Sequence, residues 1–159
     1  MYQMMKRWIA AALAAVCAFS MAACGGKSGG KEPAAADVVQ AVAQGLTFKD
    51  TMMTVDQDVF YNFYDIDAQK VADVSMYTSS SRATAEEVKV IRMKDAADIQ
   101  LAQDAIAARI EDQKRSYESY MPDEMPKINN AAVYTHGSYA ILVVADDTSG
   151  AEKTFEAQF

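Results

Sequence analysis

Cysteine, histidine and tryptophan are nearly absent from this chain of 159 residues, which holds two, one and one of them. Both cysteines, Cys17 and Cys24, stand near the N-terminus, so residues 25–159 carry no disulfide and no thiol. A thiolate nucleophile, CxxC redox chemistry and a thiolate metal site are therefore excluded from that part, and it must be stable by packing alone. His136 by itself cannot build a histidine-based zinc centre. Trp8 also lies in the N-terminal stretch, so a sugar-stacking site would have to use tyrosine. Basic charge is short as well: 15 Lys and Arg face 22 Asp and Glu, a formal net charge of −7. Nucleic acid is not expected as a partner, because affinity for it rests on basic contacts to phosphates. Glycine is sparse, and the pairs Gly25-Gly26 and Gly29-Gly30 form no phosphate-binding loop. No GxSxG nucleophile elbow occurs.

What is present begins with Lys6 and Arg7, an apolar stretch from Trp8 to Phe19, and the small residues Ala22 and Ala23 before Cys24. A basic start, a short apolar core and small residues before a cut are the pattern of a secretory signal. The apolar stretch is too short for a mature membrane-spanning helix, which needs about 20 residues. Met21-Ala22-Ala23-Cys24 resembles a bacterial lipobox, in which the cysteine is lipidated and becomes the first residue. Cys17 fits less well, since Val16 precedes it; the alternative is an ordinary cleaved signal with an incidental Cys24. The expected organisation is a signal peptide over 1–23, lipidated Cys24 with a Gly- and Ser-rich tether over 24–36, and one globular domain over 37–159. One acyl chain binds a bilayer marginally, at about 0.8 kcal/mol per buried CH₂, whereas the two chains of a diacylglyceryl thioether hold durably. The membrane is thus an expected partner through Cys24, and the expected address is the extracytoplasmic face of the cell membrane. Loss of Lys6 and Arg7 leaves the remainder two charges more acidic, which keeps it off an anionic surface.

Within the domain, Asp37-Val38-Val39-Gln40 reads as a helix start capped by Asp37, with Gly45 ending the helix. Thr54-Val55-Asp56-Gln57 is a second capping box, followed by Val59, Phe60, Phe63 and Tyr64 at helical spacing; Asp67 caps a short turn through Val71. Val74 to Ser79 and Glu87 to Lys94 read as paired strands, the second an inner or bulged one because both its faces carry apolar residues. From Asp95 the longest helix follows, with Ile99, Ala102, Ile106, Ile110, Gln113, Tyr117 and Tyr120 as its stripe. Pro122 and Pro126 mark a stop and a loop. Ala131 to Thr135, a turn at His136-Gly137-Ser138, and Tyr139 to Ala145 form a second hairpin, whose last strand is apolar on both faces and belongs inside the sheet. Ser149 to Glu152 is a capping box for a closing helix in which Phe155 and Phe159 face inward. The expected fold is α+β: two layers, a four-stranded mainly antiparallel sheet with helices on one face, preceded by N-terminal helices.

This layout is similar to that of the lipoprotein family called domain of unknown function 4358. The matching features are Cys24, Asp37-Val38-Val39, the aromatic helix ending in Tyr64-Asp65-Ile66-Asp67, and the long charged helix from Asp95 to Tyr120. Further ones are Ala131-Ala132-Val133 with Gly137-Ser138-Tyr139, and the closing Asp146-Asp147. The resemblance implies an anchored α+β lipoprotein. It implies no established activity and carries over no functional residue.

Candidate chemistry is thin. A triad would have to join His136 to Ser138 and Asp146 or Asp147, which adjacent strand residues do not normally allow. Asp56, Asp58, Asp65 and Asp67 suggest calcium, but neither register places oxygen ligands and glycine where an EF-hand loop needs them. Among the aromatics, Phe60, Phe63 and Tyr64 fit a core stripe, while Tyr61 falls off it and with Tyr77 or Tyr139 would form an exposed patch for a partner or glycan. No cofactor, no metal and no catalytic residue is expected. The expected function is a non-catalytic binding or accessory module of the cell envelope, recognising a protein, peptide or glycan. The alternatives are a carboxylate-based cell-wall hydrolase and a small solute-binding lipoprotein.

Overall fold

The computed structural model describes residues 32–159, so the expected signal, Cys24 and most of the tether lie outside the described residues. The elements in order are α1 Ala35–Gln44, β1 Met52–Val55, α2 Gln57–Phe60, β2 Val71–Ser79, β3 Glu87–Met93, α3 Ile99–Tyr120, α4 Met125–Asn129, β4 Ala132–His136, β5 Tyr139–Val144 and α5 Ala151–Glu156. The class is α+β. The sheet, however, has five strands rather than four, all antiparallel, in the order β1-β2-β3-β5-β4. The extra strand, β1, precedes and overlaps the stretch read as a capping box. It is four residues long with two of them exposed, so it carries no alternation to read.

Helices cover both faces of the sheet, which corrects the expected two layers. The side chains of a strand alternate between faces. Val88, Val90, Ile141 and Val143 pack under Val38, Val39 and Val42 of α1 and Phe155 of α5. Ile91, Met93, Ala140, Leu142 and Val144 point the other way, toward Ala102, Ala105 and Ile106 of α3, with Phe60 and Ile128. β5 is buried at all six positions, and a strand apolar on both sides needs cover on both.

Local ends differ in instructive ways. α1 starts two residues before Asp37, and its first N–H donates at 2.7 Å to the Asp73 carboxylate of β2, so the cap comes from the sheet. A register shift between Val71 and Asp73 places that carboxylate. The box at Thr54 shrinks to the one-turn α2, with Asp56 at its N-cap position but no side-chain cap. Asp67 does hold its turn, accepting from the Gln69 N–H at 2.9 Å. The stretch with Pro122 and Pro126 is a 3-10 turn leading into α4 rather than a loop, because each proline sits in a first turn where its missing N–H costs nothing. α3 keeps its stripe except Tyr120, which is 78% exposed. α5 starts after Gly150 with no side-chain cap, and Ser149 instead donates its N–H to Asp147.

Candidate functional site

Strand parity puts two charged residues of β3, Glu87 and Lys89, on the face that α3 covers. Both side chains are fully buried. Glu87 is a hub: its carboxylate accepts from Tyr64 Oη at 2.6 Å, Lys89 Nζ at 2.5 Å, Arg109 at 2.7 Å and Gln113 Nε2 at 3.3 Å. Lys89 Nζ also sits 3.5 Å from the centre of the Tyr64 ring, and the Arg109 guanidinium lies over Phe63 at 4.9 Å. Burial, with Arg109 adding to it, pushes the Lys89 ammonium well below its ordinary value. Burial raises Glu87, against the opposing pull of Arg109. Arg109 Nε and Gln113 Oε1 are buried without a hydrogen-bond partner.

Above this hub a cleft of about 440 Å³ opens between the β1–β2 edge of the sheet and the second half of α3. Its apolar walls are Met53 and Val55 of β1, Val59 of α2, and Phe63. Arg109, Gln113 and Tyr117 line the helix side, and the loop from Ser80 to Ala85 forms one rim. That rim is pinned. Tyr117 Oη donates to Thr84 O at 2.8 Å, and Asp50 accepts from the Ser79 and Ser81 hydroxyls. Those two hydroxyls chiefly hold the Asp50 carboxyl down at about 2. Within the rim Arg82 adopts φ 59°, a left-handed conformation uncommon outside glycine, and its side chain is exposed. Strain of this kind concentrates where a loop is held for a purpose.

A second buried network closes the neighbouring end. Glu86 accepts from the backbone N–H of Lys49 and Asp50 and from Thr84, and pairs with Lys127 at 3.2 Å; Lys127 also pairs with Glu124 at 2.9 Å. Burial alone would raise Glu86, but these donors outweigh it and leave its carboxyl below the ordinary value of 4.5. Lys127 is likewise lowered by burial and raised more strongly by Glu124 and Glu86. A depressed folded pKa gives stability that is present above the unfolded pKa and lost as pH falls through the folded one. Wild type should therefore lose stability below pH 4.5 more steeply than Glu86→Gln. Thermal melts of the two from pH 6 down to about pH 3 check this.

The three tyrosines singled out by sequence do not share a surface. Tyr61 is half-buried on the α3 face and meets Phe60 edge-on at 5.4 Å. Tyr77 lies on the opposite face against Phe48. Tyr139 is 3% exposed and donates its hydroxyl to Pro33 O at 2.9 Å, because it shares the inward parity of Ile141 and Val143. His136 contacts Glu156 at 2.9 Å and stacks on Phe159, neither of which is a partner in the imagined triad. Among the described residues no group of three or more His, Cys, Asp or Glu is placed to hold a metal ion, and no helix is long and apolar enough to cross a membrane. Sequence reasoning passed over Glu87, Lys89 and Arg109. The available signal was Gln113, an amide standing on an apolar helix stripe.

A family model described as Domain of unknown function (DUF4358) matches residues 45–145. That span runs from β1 through β5 and includes the whole cleft and both buried networks; α1 and α5 lie outside it. No curated protein and no solved structure matches the chain.

Proposed function

The chain belongs to the DUF4358 family, and on that premise we propose that it is a lipid-anchored binding module of the cell envelope, facing away from the cytoplasm and working through the cleft beside α3. The observation that carries the binding half is the cleft itself: apolar walls, a pinned rim, and a polar base in which Arg109 Nε and Gln113 Oε1 lack partners. Binding pockets combine an apolar lining with a few placed polar groups, and about 440 Å³ falls in their usual size range. One carboxylate, Asp56, lines the cleft, whereas glycoside hydrolysis uses two flanking the bond. Glu86 and Glu87 are committed to buried cations. These features favour the binding module over the hydrolase.

The geometry suits a tether. The chain comes into the domain at Pro33, held by Tyr139 at the start of β5, and Ala35 is held by Asp73 near the start of β2. The cleft rim lies at the other end of β2, past Ser79. The sheet thus separates the tethered end from the binding end, by roughly 3.3 Å per residue along β2.

Two measurements test the reading. Mass spectrometry of the native protein from membranes should find residues 1–23 removed and Cys24 carrying the acyl mass; an unmodified Cys24 would refute the anchor. Co-purification from intact, crosslinked cells should recover a specific ligand or partner with wild type and lose it with Val59→Trp, which fills the cleft from a position already 40% exposed. Unchanged recovery from a folded variant would refute the cleft.

A further inference from the structure

We infer that the cleft takes an organic carboxylate carried on an apolar body, the acid group lying toward Arg82 and Arg109. This rests on the reading of the cleft as a binding site and adds the chemistry of what it binds.

Three observations point the same way. The first is charge. In a chain of net charge −7, the charged side chains lining the cleft are two arginines, Arg82 and Arg109, against one acid, Asp56. A cleft that inverts the sign of the whole molecule favours an anion inside it. The second is unmet donor capacity. Beneath the cleft one carboxylate, Glu87, serves both Lys89 and Arg109, and Arg109 Nε has no acceptor. Arg82 is exposed at the rim, in a left-handed conformation, with no ion pair among the described residues. Guanidinium groups match carboxylates through paired N–H donors, so a cleft lined by one at its rim and one at its base suits that group. The third is the remainder of the lining. Met53, Val55, Val59 and Phe63 offer nothing to a second charge and much to an alkyl or apolar side chain. Such a ligand is either a fatty acyl carboxylate or the free C-terminus of an apolar peptide; the shared chemistry is the carboxylate and its apolar body.

The test is calorimetric titration of the full chain in a mild detergent with three probes: octanoate, an acetylated apolar tripeptide with a free C-terminus, and the same tripeptide as its C-terminal amide. At least one carboxylate probe is expected to bind. If the peptide acid binds, its amide should bind about tenfold more weakly, the scale of a lost charge-assisted hydrogen bond. Arg82→Gln, at an exposed position that leaves the fold alone, should weaken the carboxylate probe by a similar factor and leave the amide unchanged. Binding of octanoate alone assigns an acyl chain, and binding of the peptide acid alone assigns a chain terminus. No binding of either carboxylate, equal binding of acid and amide, or no effect of Arg82→Gln overturns the inference. Loss of a cellular partner in Val59→Trp would still support the cleft in that case, so the two failures are distinct.

Discussion

Glu87→Ala is expected to cost the fold about 3–5 kcal/mol, the range for removing one side of a buried ion pair. The loss follows from what remains: Arg109 and Lys89 keep their positions in a dry interior without the carboxylate that accepts from both. Tyr64 Oη and Gln113 Nε2 lose an acceptor in the same step. In a domain of this size the melting temperature should fall by on the order of 10–20 °C. Lys89→Met is the control. It removes a buried charge, leaves Glu87 paired with Arg109, and fills the space with an unbranched apolar chain, so its stability should stay within about 1 kcal/mol of wild type or rise. The two variants also differ in pH dependence. Lys89 has a folded pKa below its unfolded 10.5, so the unfolded state binds more protons between the two values and this residue makes stability rise with pH across that window. In Lys89→Met that rise should vanish. Denaturant melts at neutral and alkaline pH measure both effects, and an equal loss from the two substitutions would contradict the hub assigned to Glu87.

Phe155→Ala should cost about 3–5 kcal/mol, the range for emptying a fully buried aromatic site. Phe155 is 0% exposed and packs with α1 on the sheet face that α3 does not cover. Phe159 meets it edge-on at 5.2 Å, and His136 stacks on Phe159, so the cavity also unseats the C-terminus from the β4–β5 hairpin. Amide hydrogen exchange should show protection lost first in α5 and around His136. A cost under about 1 kcal/mol would mean that this face is not part of the core.

How much of this was legible follows from what periodicity reports. Alternation and three-and-four spacing carry burial, and they placed β2 to β5, the body of α3 and the inward Phe155. The six apolar residues of β5 also contained the answer to the layer count, since Ala140, Leu142 and Val144 need a cover distinct from that of Ile141 and Val143. Reading one covered face left that requirement unused. β1 was not legible, because an edge strand of four residues with both central ones exposed shows no pattern. The hub was not legible either. Glu87 and Lys89 alternate with Val88 and Val90 as solvent-facing charges do, and the helix partners of Glu87, Arg109 and Gln113, stand 22 and 26 positions from it. Tyr139 looked exposed beside a turn, yet strand parity turns it inward. Pairing across elements is a tertiary fact, and the cleft is walled by β1, β2, α2 and α3 together, so no single stretch announces it.

The most direct test of the cleft as the working surface is site-specific photocrosslinking in intact cells from two exposed apolar positions. Val59 lines the cleft at 40% exposure, and Leu101 lies outside it on α3 at 38% exposure. A discrete adduct is expected from position 59, and none from position 101. The same adducts from both positions, or an adduct from position 101 alone, would contradict it.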